Sequence, residues 1–202
     1  MSGKEVAKIL LKQKAVLLRP EKPFTWASGI KSPIYTDNRK LISTVAEREK
    51  IVDELISLIK IEKFDVIAGT ATAGIPWAAF VAQKLKKPMI YVRSKPKEHG
   101  TGSSIEGGLK RGQRVVVVED LISTGGSSLA VIDEVRKAGG IVTLCVGIFS
   151  YGFKSATMGF DKAKVRLVTL TDFTGLIQEA LKEKYISEKQ KSLVESWRRQ
   201  FL

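Results

Sequence analysis

Hydrophobic positions change period several times along this chain, and each change marks an element. Val6, Ile9 and Leu10 recur at helical spacing with lysines opposite, which predicts a helix within 4–18. Residues 20–40 lose that period. Pro20, Pro23, Gly29 and Pro33 interrupt it, while Phe24, Trp26, Ile34 and Tyr35 supply apolar surface, so irregular chain or short strands are expected. Ile51, Val52, Leu55, Ile56 and Ile59 form the stripe of a second helix, preceded by Thr44 and Glu47 at capping-box spacing.

From residue 64 the pattern alternates. Short apolar runs at 64–68, 89–92, 115–118, 141–149 and 165–170 read as strands, and 75–85 and 129–138 read as helices. The four valines of 115–118 suit a strand covered on both faces. Asp172 is placed to cap a helix bearing Phe173, Leu176, Ile177, Ala180 and Leu181, and Ser187 to open a last one presenting Leu193, Val194, Trp197 and Phe201. Such alternation predicts an α/β fold with a parallel sheet and helices on both faces. Ligands in such sheets lie beyond the carboxyl ends of the strands, so the loops after 68, 92 and 118 matter most. The stretch 94–111 is polar, rich in glycine and charge, and has no period; a loop of that length inside a compact domain is usually functional.

The run Val115-Val116-Val117-Val118-Glu119-Asp120-Leu121-Ile122-Ser123-Thr124-Gly125-Gly126-Ser127 carries the most chemistry. A buried strand leads into two acids and then a Ser/Thr/Gly loop that opens a helix. Backbone N–H groups at a helix start, with the hydroxyls of Ser123, Thr124 and Ser127, make a site for an anion. Gly125 and Gly126 let the backbone approach a phosphate closely. Two carboxylates beside a phosphate nest make sense when the ligand also carries hydroxyls. A ribose 5-phosphate fits, with its phosphate in the loop and its ring hydroxyls on Glu119 and Asp120.

Composition narrows the partner. The chain has 202 residues, 44% hydrophobic and 27% charged, as expected of a globular protein, but its net charge is +13. That excess raises nucleic acid, an anionic membrane or a phosphorylated substrate as partners. No block of five or six like charges occurs, which makes nucleic acid the less expected partner. No apolar run reaches membrane-spanning length, and Lys8, Lys12 and Lys14 interrupt the early apolar stretch, so neither a membrane nor a signal peptide is expected. The single cysteine, Cys145, lies in an apolar run and reads as a buried strand residue of a cytoplasmic protein.

The thirteen-residue run resembles the signature of the type I phosphoribosyltransferases, which bind phosphoribosyl pyrophosphate (PRPP). Three other segments resemble the orotate phosphoribosyltransferases: 24–35 continuing to Asp37-Asn38-Arg39, the stretch Gly69-Thr70-Ala71-Thr72-Ala73-Gly74-Ile75-Pro76, and Tyr91-Val92-Arg93-Ser94-Lys95-Pro96-Lys97-Glu98-His99-Gly100. The resemblance implies a type I phosphoribosyltransferase fold, a central mostly parallel sheet flanked by helices with a small N-terminal hood. It implies an N-terminal helix and hood over 1–43, a catalytic core over 44–181 and a C-terminal helix over 182–202. It also implies a reaction, in de novo pyrimidine synthesis, in which PRPP and orotate give orotidine 5-phosphate and pyrophosphate.

The resemblance assigns catalysis to Lys97, His99 and Asp120. It assigns PRPP to Arg93, Lys97 and His99, to Glu119, Asp120, Leu121, Ile122, Ser123, Thr124, Gly125, Gly126 and Ser127, and to Thr72 and Ala73. It assigns orotate to Ser123, Lys31, Ile34 and Tyr35, with Ser28 in the hood. Mg2+ is implied as a cofactor carried by PRPP, with no direct protein ligand and a water-bridged contact to Asp120. A homodimer is implied, with the 93–104 loop acting in the partner's site. Chemistry agrees with that loop's role: cations can stabilise charge on departing pyrophosphate, and Lys97 or His99 can protonate it.

The chain departs from the family pattern at Ala27, Ala73 and Ser94, where basic residues are common, and at 150–154, where some members carry an orotate-binding arginine and this chain offers Lys154. Two other readings stand beside this one. The first is a phosphoribosyltransferase for another base. The second is a PRPP-sensing regulator that binds nucleic acid and does no catalysis.

Overall fold

The computed structural model describes residues 2–26, 29–93 and 104–202. Helix α1 (Gly3–Lys12) buries Val6, Ala7, Leu10 and Leu11. It stops before the end of the predicted span because Lys14 turns to a φ of 53° and the chain enters strand β1 (Val16–Leu18). A short hairpin follows, β2 (Phe24–Thr25) with β3 (Lys31–Ser32), and then β4 (Ile34–Thr36), which pairs antiparallel with β1. A 3-10 turn at Asn38–Ser43 leads to α2 (Val45–Ile59). The predicted capping box at Thr44 is not formed. The Thr44 hydroxyl donates back to Leu41 O at 2.9 Å instead of accepting from the helix.

The rest of the chain builds the sheet. In order come β5 (Val66–Thr70), α3 (Gly74–Leu85), β6 (Met89–Val92), β7 (Ile105–Glu106), β8 (Arg114–Ile122), α4 (Gly126–Lys137), β9 (Ile141–Ser150), α5 (Lys154–Ala163), β10 (Arg166–Asp172), α6 (Phe173–Lys182) and α7 (Glu188–Arg199). The six strands lie in the order β10-β9-β8-β5-β6-β7, and every pair is parallel except β6 with β7. The predicted α/β architecture is therefore the observed one. Asp172 caps α6 by accepting from Gly175 N at 2.8 Å, and Ser187 caps α7 by accepting from Gln190 N at 3.3 Å.

Further elements differ from the sequence pattern, among them β7, which forms inside the stretch 94–111 read as a loop. β8 runs four residues past the valines, to Ile122. α4 starts at Gly126, three residues before the first periodic apolar position. α5 is absent from the sequence reading, because only Ala156 and Phe160 of its ten residues are buried, too sparse a stripe to stand out.

Alternate residues of β8 supply two cores. Val116 and Val118 join the cluster under α1, α2 and α3, with Trp77, Phe149 and Phe173. Val115 and Val117 join the cluster under α4 and α5, with Cys145 and Phe160. Each such side chain, fully withdrawn from water, stabilises the fold by roughly 1.5–3 kcal/mol. The N-terminal helix belongs to the first of these cores, which fixes the small antiparallel strands against the carboxyl end of the sheet.

Candidate active site

Strand β8 outruns β5. Pairing between them ends at Val118 with Gly69, whereas pairing with β9 continues to Ile122 with Ser150. Glu119 and Asp120 thus sit on a strand segment with one edge unpaired by β5. They are only 5% and 9% exposed, so a ligand oxygen arriving there replaces very little water. Glu119 accepts from its neighbour Asp120 N at 3.0 Å and from Ser128 Oγ at 3.1 Å. Burial raises the pKa of both carboxyls above the ordinary range, and the neighbouring Asp120 charge raises Glu119 further. The pair titrates as a unit and holds a proton more readily than free acids.

Two helix starts flank this pair. The chain leaves β8 through Ser123 and Thr124 and enters α4 from Gly125, whose φ of 81° favours glycine. A side chain at Gly125 would also press on Phe160 and Ala156, at 3.2 and 3.3 Å. α4 has no side-chain cap, so its first N–H groups face outward with Thr124, Gly126 and Ser127, all exposed. α3 likewise begins without a side-chain cap, after Thr70, Ala71, Thr72 and Ala73, with a cis peptide between Ala71 and Thr72. Thr72 is exposed. A Cβ on Gly74 would lie 2.6 Å from Val118 O, so only glycine lets the start of α3 rest on the end of β8. β5 and β8 are parallel neighbours, so both helix starts open on the same edge of the sheet. Each carries about half a positive charge, and together they suit a ligand with two separate phosphate groups.

The hood meets the same edge. Asn38, fully buried, donates from Nδ2 to Asp120 O at 2.6 Å, and Thr36 Oγ1 lies 3.0 Å from the Tyr151 hydroxyl. Arg39 is held by Asp37 at 2.6 Å, and its charge favours the ionised form of Asp120. Tyr35 is exposed and packs its ring 5.5 Å from Phe24. Lys31 Nζ is engaged inside the hairpin, donating to Thr25 Oγ1 at 2.8 Å. Ile34 is fully buried in the main core, so of the two residues expected to form the apolar wall only Tyr35 faces outward. Lys154, offered in place of the missing arginine, starts α5, exposed, with its backbone N–H donating to Phe201 O at 3.0 Å.

Arg93 closes the base of the long loop. Its N–H donates to Ser104 O at 2.9 Å, and its guanidinium lies 3.9 Å from Glu106. Ser104 Oγ in turn donates to Glu134 Oε2 at 2.6 Å. A cleft of about 220 Å³ runs past Arg93 and Ser104 to Thr70 and Ser127, so it joins the loop base to both helix starts. Lys97 and His99 of that loop, and Ser28 of the hood, lie outside the described residues. Sequence reasoning assigned nothing to Asn38 and Ser128. Ser128 had a signal, since it directly follows the motif; Asn38 lay in a segment resembling the family, but nothing local pointed to its partner, 82 residues away. Among the described residues no group of three or more His, Cys, Asp or Glu could hold a metal ion.

An acid pair and two uncapped helix starts at one edge of a parallel sheet suit a sugar-phosphate ligand, and the family model for the phosphoribosyl transferase domain matches residues 38–184, which makes the chain a phosphoribosyltransferase. The orotate phosphoribosyltransferase of Listeria monocytogenes is 48% identical over 97% of this chain and 95% of its own, and that of Bacillus pumilus is 52% identical over 96% and 92%. This chain belongs to the orotate phosphoribosyltransferase family. Among solved structures, the Aeropyrum pernix orotate phosphoribosyltransferase superposes with a TM-score of 0.77 at 32% identity, over 90% of this chain and 99% of that one. Leishmania donovani UMP synthase gives a TM-score of 0.85 at 29% identity, over 99% of this chain and 43% of that longer one.

Proposed function

We propose that the chain transfers the 5-phosphoribosyl group of PRPP to orotate, giving orotidine 5-phosphate and pyrophosphate for pyrimidine synthesis. The observation that carries the reading is the buried Glu119–Asp120 pair between the uncapped starts of α3 and α4. Phosphate on ribose C5 would bind the α4 start, with Ser123, Thr124, Gly125, Gly126 and Ser127, and the diphosphate the α3 start, at Thr72 and Ala73. Identity near one half along almost the whole chain to relatives named for orotate favours that base over a purine.

In the reaction the bond from ribose C1 to the diphosphate oxygen breaks, and its electron pair leaves on oxygen. N1 of orotate forms the new bond to C1 and gives up its proton. Positive charge builds on the ribose ring between the two events. Glu119 and Asp120 orient the ring hydroxyls and favour that charge electrostatically, without attacking it. Leu121 and Ile122 hold the pair in strand pairing with Phe149 and Ser150. Arg93, Lys97 and His99 balance charge on the departing diphosphate, and Lys97 or His99 protonates it. Magnesium carried by PRPP would neutralise diphosphate charge, and Asp120 would meet it through water rather than as a direct ligand. We assign the 93–104 loop to the neighbouring subunit's site in a homodimer. A cytoplasmic location suits a single buried thiol.

The test is loss of orotate absorbance with PRPP and Mg2+. Turnover is expected, and Asp120→Asn should lower kcat by at least about 100-fold. Folded wild-type protein that leaves orotate unchanged would overturn the reading.

A further inference from the structure

The last turn of α7 touches both walls of the proposed base site. Trp197 Nε1 donates to Lys31 O, on the hood, at 2.8 Å. The adjacent Arg198 donates from Nε to Tyr151 O at 2.9 Å and from Nη2 to Gly152 O at 3.3 Å, at the turn between β9 and α5. Its remaining nitrogen donates to Thr174 Oγ1 at 3.1 Å, and the guanidinium lies over the Phe173 ring at 4.9 Å. These bonds engage Arg198 within the protein, so it is a brace and not a stand-in for the missing orotate-binding arginine. Gly152 is part of the brace. It has a φ of 64°, and a Cβ there would lie 2.5 Å from Arg198 Nη2.

The hood segment carrying Lys31 and Tyr35 is held from several directions. Ile34 O accepts from Trp26 Nε1 at 3.3 Å and from Ser32 Oγ at 2.8 Å. The Trp26 ring packs against Trp197 at 5.7 Å and against Tyr151 at 5.4 Å. Tyr151 also stacks on Phe153 at 5.2 Å. One end of this aromatic stack lies under the hood, and the other lies under the β9–α5 turn. Trp197 is 9% exposed, so water is poorly placed to replace a lost indole donor.

We infer that Trp197 and Arg198 are positioning residues for the nucleobase: from one helix turn they set the gap between the hood and the end of β9. The inference rests on the proposed function and on the family resemblance, which assigns orotate to Lys31 and Tyr35 of the hood and to Ser123 beside the end of β9. The starts of α3 and α4, assigned to the phosphates, make none of these bonds, so the effect belongs to orotate and not to PRPP.

Trp197→Phe keeps an aromatic ring, smaller than the indole, and removes the donor, and Arg198→Lys keeps the charge and removes the fork. Each is expected to raise the KM for orotate about fivefold, with kcat and the KM for PRPP within about twofold of wild type. Thermal melting is followed in parallel to confirm that each variant is folded at the assay temperature. If Trp197→Phe is not folded, Arg198→Lys alone decides between the same outcomes. Equal shifts in both KM values, a fall in kcat alone, or no shift in a folded variant would overturn the inference. Wild-type protein inactive with orotate and PRPP would strike the proposed function, whereas active wild type without the split in the variants strikes this inference alone.

Discussion

Glu119 stands where stability and chemistry conflict. A carboxylate with 5% exposure beside a second one destabilises the ligand-free fold when ionised. Its pKa is raised on folding, so between the ordinary glutamate value of about 4.3 and the raised value the folded state holds more protons than the unfolded chain. Stability therefore falls as pH rises through that window. Glu119→Gln, whose amide can still accept from Asp120 N and donate to Ser128 Oγ, should melt higher than wild type at pH 7. The two should converge near pH 4, and calorimetry across that range checks it. Glu119 to Ser127 was legible in the sequence because the whole device is one contiguous run. The partners of Asn38 and Arg198 were not, since their bonds reach 82 and 46 residues along the chain.

Among the elements, those whose apolar stripe was dense were read correctly, α3 included, while β8 and α4 at the site were misjudged at their ends. Four valines announced β8, yet two acids looked like its end, because buried adjacent carboxylates run against strand preference. The strand continues since β9 pairs with it to Ile122. The two predicted caps also part ways. Ser187 receives the Gln190 N–H, while Thr44 turns its hydroxyl away from α2. Ser187→Ala should thus cost about 1 kcal/mol and Thr44→Ala clearly less, as read from urea unfolding midpoints. Loss of the Ser187 cap loosens the helix that carries Trp197 and Arg198, so it should also weaken orotate binding.

Over the whole molecule the +13 charge called for an anionic partner, and the architecture gives it a local meaning. Both uncapped helix starts and the base of a basic loop meet at one sheet edge. Alternating strand and helix made that edge predictable, because ligands gather there in any such sheet. What no single chain displays is where the loop acts. Lys97→Ala and Asp120→Asn proteins should each be nearly inactive, and for the proposed homodimer, with loops acting across it and random exchange, mixing the two should restore about one quarter of wild-type activity per site. No recovery in a confirmed mixed dimer would place the loop over its own subunit's site.

Cys145 lies fully buried on β9, close enough to Ser128 and Glu119 to feel both, and burial pushes its thiol well above the ordinary range. An alkylating reagent can reach it only when β8, β9 and α4 part, so its reaction rate is a clock for that opening. Because the chain has one cysteine, a single mass increment reports the event without any engineered probe. PRPP bound at Asp120 and the α4 start should slow that clock in proportion to its occupancy, whereas orotate alone should leave it running. The enzyme then carries, beneath its own active site, a built-in measure of how firmly substrate holds the sheet closed.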